Sequence, residues 1–130
     1  MGKYGDAAVL AAGMLAHDEH LSPREAWMRA VAQLFPHSPS SQRKGCPRDA
    51  FLGLCEMGAI VGVKPGAYTQ SVKNKGYVAR ALPALRADPA LASDEKRLWT
   101  LATSGADTRP NGQMDVLVTL WRRQMITTPP

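Results

Sequence analysis

Ser22-Pro23-Arg24-Glu25-Ala26-Trp27-Met28-Arg29-Ala30-Val31-Ala32-Gln33-Leu34-Phe35-Pro36 decides the fold class. Ser22 can cap a helix with its side chain, Pro23 suits the first helical position, and Glu25 completes a capping box. Ala26, Trp27, Ala30, Val31 and Leu34 then recur at three- and four-residue steps, which lines one face with apolar groups. Pro36 stops the helix, because it cannot donate a backbone hydrogen bond. The stretch therefore predicts an amphipathic helix with Trp27, Val31 and Leu34 in a core.

The same periodicity continues on both sides. Upstream, Tyr4 to about His17 is alanine-rich, with Ala8, Ala11, Met14 and Leu15 on one side, as a closely packed N-terminal helix requires. Downstream, a polar loop from Pro36 to Gly45 leads to a helix opened by Pro47, with Ala50, Phe51, Leu54 and Cys55 inward and Gly58 as its C-terminal cap. Ile60, Val61 and Val63 are β-branched, and Lys64-Pro65-Gly66-Ala67 carries the two central residues of a type II turn. A short β-hairpin or wing near residues 59–68 is therefore an option. A further helix is expected from about Gln70 to Arg86, kinked or shortened at Pro83. Leu98, Trp99, Leu101 and Ala102 mark a fifth helix closed by Gly105. Met114, Leu117, Val118 and Trp121 mark the last. The expected fold is mainly α, a single-domain bundle of about six helices over residues 1–126, with a flexible tail at 127–130.

The 130 residues suit one domain, and 45% apolar content with three tryptophans argues for a packed core. No apolar run approaches the ~20 residues of a membrane span. Two cysteines fall short of a disulfide framework or a four-ligand zinc site, which favours a reduced, cytoplasmic protein. No cofactor motif is present. His17 and His20, three residues apart, could share a metal from one helix face, but no further ligand cluster accompanies them.

Charge is concentrated in the middle of the chain. Residues 43–86 hold eight bases (Arg43, Lys44, Arg48, Lys64, Lys73, Lys75, Arg80, Arg86) and two acids, Asp49 and Glu56, a net of +6 against +5 for the whole chain. A charge-selected partner meets the protein there. Two groups stand out. Ser41, Gln42, Arg43, Lys44 and Arg48 surround the start of the third helix, an anion-favouring position. Gln70, Lys73, Asn74 and Tyr77 fall on neighbouring positions of the fourth, joined by Lys75 and Arg80. Gln, Asn and Lys reach base edges, and Lys with hydroxyls reaches phosphates. The two helices with their connector could form a helix-turn-helix variant with a small wing.

Cys46 is a weak candidate nucleophile. Placed as N-cap before Pro47, it would have a helix dipole and the bases Arg43, Lys44 and Arg48 to favour its thiolate. With Gln42 before it and Phe51 after, it is loosely similar to papain-like thiol hydrolases. Those supply their histidine from downstream, whereas His17, His20 and His37 all precede Cys46, and only His37 is a plausible base. Cys55 reads as a small core residue.

Lys3-Tyr4-Gly5, Ala26-Trp27, Ser40-Ser41-Gln42-Arg43-Lys44-Gly45-Cys46-Pro47-Arg48, Ala50 to Glu56, Tyr68-Thr69, Asn74-Lys75 and Gln113-Met114-Asp115 together resemble a family of short bacterial proteins carried as a domain of unknown function. The Ser-Ser-Gln-x-Lys-Gly-Cys-Pro block is the most specific part. The resemblance implies a bacterial, single-domain, cytoplasmic protein and supplies no catalytic residue. The sequence thus reads as a binding protein rather than an enzyme, its basic middle segment facing a polyanion, DNA or RNA first. The alternatives are an interaction module for an acidic protein and, third, a thiol enzyme using Cys46.

Overall fold

The computed structural model describes residues 2–128. The chain runs through α1 (Lys3–His17), α2 (Pro23–Leu34), a four-residue helical turn α3 (Pro39–Gln42), α4 (Gly45–Glu56) and α5 (Val72–Ala87). A 3-10 turn (Pro89–Ser93), α6 (Glu95–Ala102) and α7 (Gln113–Arg122) complete it. No strand occurs among the described residues, so the fold is mainly helical, as the periodicity predicts.

The capping box forms as expected: Ser22 Oγ accepts from the Glu25 N–H at 3.1 Å, and Glu25 reaches back to the Ser22 N–H at 3.4 Å. Trp27 is 1% exposed and stacks on Phe51 of α4 with ring centroids 5.3 Å apart, which fastens the second helix to the fourth. Leu34 is only half-buried. The alanines of α1 serve close packing. Ala7, Ala8, Ala11 and Ala12 are buried as α1 packs against α2 and α7. A Cβ at Gly5 would collide with the Thr119 side chain and the Asp115 carbonyl. Asp115 in turn supplies the cap that α1 lacks, accepting from the N–H groups of Gly2 (3.1 Å) and Gly5 (2.7 Å).

Three expectations change. Helix α4 begins at Gly45 with Lys44 as N-cap, so Cys46 is its second residue and Pro47 its third. Proline is tolerated throughout a first turn, whose N–H groups have no helical acceptor, and so does not fix the first position. Helix α5 is not shortened at Pro83 and runs on to Ala87. Pro83 and Ala79 are both exposed, so water can serve the carbonyl that loses its partner. No hairpin forms near residues 59–68. Instead Ile60 makes one antiparallel bridge to Ile126, with Val61 N–H donating to Met125 O at 2.9 Å and Thr127 N–H to Ala59 O at 2.8 Å. Thr127 is therefore held in place, also by Arg86 Nη2 at 2.7 Å from its carbonyl. Of the expected tail, Pro129 and Pro130 lie outside the described residues.

Gly58, at φ +72°, ends α4 as expected: its N–H donates to Cys55 O at 3.1 Å and that of Ala59 to Leu54 O at 2.9 Å, the paired bonds of a left-handed cap.

Replacing Trp27 with alanine should cost about 3–5 kcal/mol in denaturant melts, since it empties the α2–α4 contact. Trp27→Phe should cost far less, because it keeps a ring and removes an Nε1–H that is buried without an acceptor. A loss under about 1 kcal/mol for the alanine variant would place the ring outside the core.

Candidate anion-binding cleft

Two acids of α4 organise the segment that leads into α5. Glu56 Oε1 accepts from the backbone N–H of Tyr68 (2.9 Å) and Thr69 (3.3 Å), and its other oxygen lies 3.0 Å from Lys75 Nζ. The Tyr68 N–H first, then the Lys75 ammonium and the Thr69 N–H, hold the Glu56 carboxyl below its ordinary range. Asp49, buried, accepts from Thr69 Oγ1 at 3.1 Å and from Arg48 through Nε (3.1 Å) and Nη2 (3.3 Å). The strap 67–71 is thereby fixed along α4. Ser71 ends it as the N-cap of α5, accepting from the Asn74 N–H at 3.4 Å.

Between strap and helix lies a cleft of about 420 Å³ lined by Arg24, Arg48, Asp49, Ala67, Tyr68, Thr69, Gln70 and Ser71. It joins one residue from each sequence-predicted group, Arg48 and Gln70. Arg24 enters from the first turn of α2, its Nη2 3.4 Å from Tyr68 O. Two guanidinium groups against one carboxylate leave the cleft net positive.

The other predicted residues divide by what they already bind. Asn74 is buried, its Nδ2 3.0 Å from Ser71 Oγ and its Oδ1 3.2 Å from Gln113 Nε2, so its amide faces the interior. Lys75 is paired with Glu56. Arg80 Nε donates to Ala102 O at the end of α6, at 2.6 Å. Gln42 Nε2 donates to Phe35 O at 2.7 Å, and Ser41 accepts from Ser38 Oγ at 2.7 Å through its hydroxyl and from Tyr4 OH at 3.0 Å through its carbonyl. Arg43, Lys73 and Gln70 are exposed with no polar partner among the described residues, and Lys44 lies over the Tyr4 ring, 5.6 Å from its centroid. The exposed positions of α5 are Val72, Lys73, Ala79, Arg80, Pro83 and Ala87, two bases among apolar residues, and no wing forms among the described residues.

Sequence reasoning missed Arg24, which lies far from the basic stretch and reads locally as an ordinary first-turn residue of α2. Ser71 had a signal, its three-residue spacing from Asn74 at a helix start.

Cys46 is half-buried in the first turn of α4, and Cys55 is fully buried, where burial pushes its thiol far up. Among the described residues, no group of three or more His, Cys, Asp or Glu side chains could hold a metal ion. No helix among the described residues is long and apolar enough to cross a membrane.

Residues 1–127 match the model of DUF6979, a family of unknown function, and the chain belongs to that family. No curated protein and no solved structure matches it.

Because the folded Glu56 carboxyl lies below its ordinary value of 4.5, its contribution to stability is full above that value and lost as pH falls through the folded one. Melts from about pH 6 to about pH 3 should lose part of their pH dependence in Glu56→Gln. An unchanged dependence would remove Glu56 as a clamp on the strap. In the native protein an alkylating reagent should modify Cys46 and spare Cys55 until unfolding. Equal modification of both would mean that the core around Phe51 opens readily.

Proposed function

We propose that this chain is a non-enzymatic, cytoplasmic bacterial protein that binds a polyanion, with nucleic acid as the favoured ligand. The observation that carries the reading is the cleft shared by Arg24, Arg48, Gln70 and Ser71. Further exposed bases lie close to its lining residues in the chain. Arg43 and Lys44 precede the first turn of α4, and Lys73 follows Ser71 in the first turn of α5. Lys73 and Arg43 have no internal partner among the described residues, so their charge is open to a ligand.

Bases that brace distant elements of the fold are poorer contacts than Arg48, which keeps three donors after binding Asp49. Lys75, Arg80 and Arg86 hold Glu56, the α6 terminus and Thr127, and a ligand would have to replace those bonds. The contact set is therefore Arg24, Arg43, Lys44, Arg48, Gln70 and Lys73. The half-buried Cys46 makes no hydrogen bond to a base among the described residues, which gives a thiol reaction no comparable support.

If about four phosphates are neutralised, log affinity for duplex should fall with log salt at a slope of about −3.6. Lys44→Ala with Lys73→Ala should flatten that slope to about −1.8, whereas Arg123→Glu on the far side of the sequence should leave it nearly unchanged. Binding to both DNA and RNA weaker than ~10⁻⁴ M at ~150 mM salt would sink the nucleic-acid reading and leave an acidic protein as the partner to pursue.

A further inference from the structure

We infer that the cleft between α4 and the strap 67–71 takes the terminal phosphate of a nucleic acid, a 5′-phosphate monoester, in preference to an internal phosphodiester. The inference rests on the polyanion reading and narrows it to one end of the ligand. It is carried by the direction of the hydrogen bonds around the cleft.

Ser71 Oγ accepts twice from Asn74, through its N–H at 3.4 Å and its Nδ2 at 3.0 Å. With both lone pairs engaged, the hydroxyl proton is left to donate. The amide orientation of Asn74 is set from behind, because Gln113 Nε2 donates to Asn74 Oδ1 at 3.2 Å. Gln113 is set in turn by the Asn111 N–H, 2.6 Å from Gln113 Oε1. A buried relay thus begins at a backbone donor and ends with the Ser71 hydroxyl as a donor.

Arg48 uses Nε and one Nη2 hydrogen on Asp49, which leaves three of its five donors and locks the guanidinium plane. Asp49 is covered by that contact and by the Thr69 hydroxyl, so its lone pairs are largely occupied. Arg24 spends one donor on Tyr68 O. The open polar groups at Arg24, Arg48 and Ser71 are therefore donors from three separate chain segments. A monoester offers three terminal oxygens to three donors and has only one substituent to lead out of the cleft. A phosphodiester has two terminal oxygens and two substituents. Charge-assisted bonds of this kind favour the dianion.

The test compares two oligonucleotides of identical sequence, one 5′-phosphorylated and one 5′-hydroxyl, labelled at the 3′ end and titrated with the full chain at ~150 mM salt. The phosphorylated strand should bind about tenfold more tightly. Arg24→Gln, an exposed position, should abolish most of that preference. Asn74→Asp replaces the Nδ2 donor by an acceptor and turns the Ser71 proton inward. It should remove the preference while the salt slope for the hydroxyl strand stays as in the wild type. Equal binding of the two strands by the wild type would overturn the inference and leave the polyanion reading standing. No binding of either would overturn both. A phosphoserine peptide that bound as tightly as the phosphorylated strand would overturn the assignment to a nucleic-acid end.

Discussion

The middle of this protein depends on two carboxylates pointing the wrong way for a basic surface. Asp49 and Glu56 are the only acids among residues 43–86, and they sit two helical turns apart on α4. Each turns toward the strap. Glu56 gathers two backbone N–H groups, and Asp49 gathers a hydroxyl and a guanidinium. Residues 57–71 contain no helix and no strand beyond one bridge, so these side chains supply the bonds that secondary structure would otherwise provide. Without them the cleft would lose its wall and α5 its fixed start. Gly53 completes the junction. A Cβ there would press on the Lys75 backbone and on Val78 at 3.3 Å, so helices α4 and α5 meet at a residue without a side chain.

The helical fold was legible because its signals are local. A capping box and a three- and four-residue apolar repeat are complete within 15 residues of chain and act on the backbone they occupy. Errors fell where a local rule permits more than one outcome. Proline restricts a helix interior but is neutral across the first turn, so Pro47 could not distinguish a start at Gly45 from one at Pro47. The β-branched residues Ile60, Val61 and Val63 suggested a strand, but only Ile60 makes a bridge, and the chain turns at Val61–Gly62. The partner of Ile60, Ile126, lies more than sixty residues away, and nothing local marks so distant a pairing.

The site was only half legible, for a related reason. Net charge counts every base, yet a base that braces another element of the fold is less free to move to a ligand than its charge suggests. Arg80 illustrates this. In sequence it extends the Lys73–Lys75 row, and in the fold it closes the carbonyl end of α6. Asn74 is the sharper case. Its place between two lysines suggests a surface amide, but the inward face of α5 at that turn is where it meets Gln113, thirty-nine residues downstream. A polar residue on the buried side of a helix becomes intelligible only when its partner is known.

On the proposed polyanion reading, two ranges of force would act on the ligand. The exposed bases Arg43, Lys44 and Lys73 work through water, where unit charges 4 Å apart gain about 1 kcal/mol and screening sets in beyond ~8 Å. On that reading they would draw in any polyanion without telling one phosphate from another. Discrimination has to come from groups whose geometry is fixed before the ligand arrives, because freely rotating side chains pay for each bond with their own entropy. Arg48, locked by Asp49, and Ser71, oriented by Asn74, meet that condition, whereas Lys73 and Arg43 do not. Attraction would thus be spread over flexible exposed side chains, and selection concentrated on the few side chains that the interior holds still.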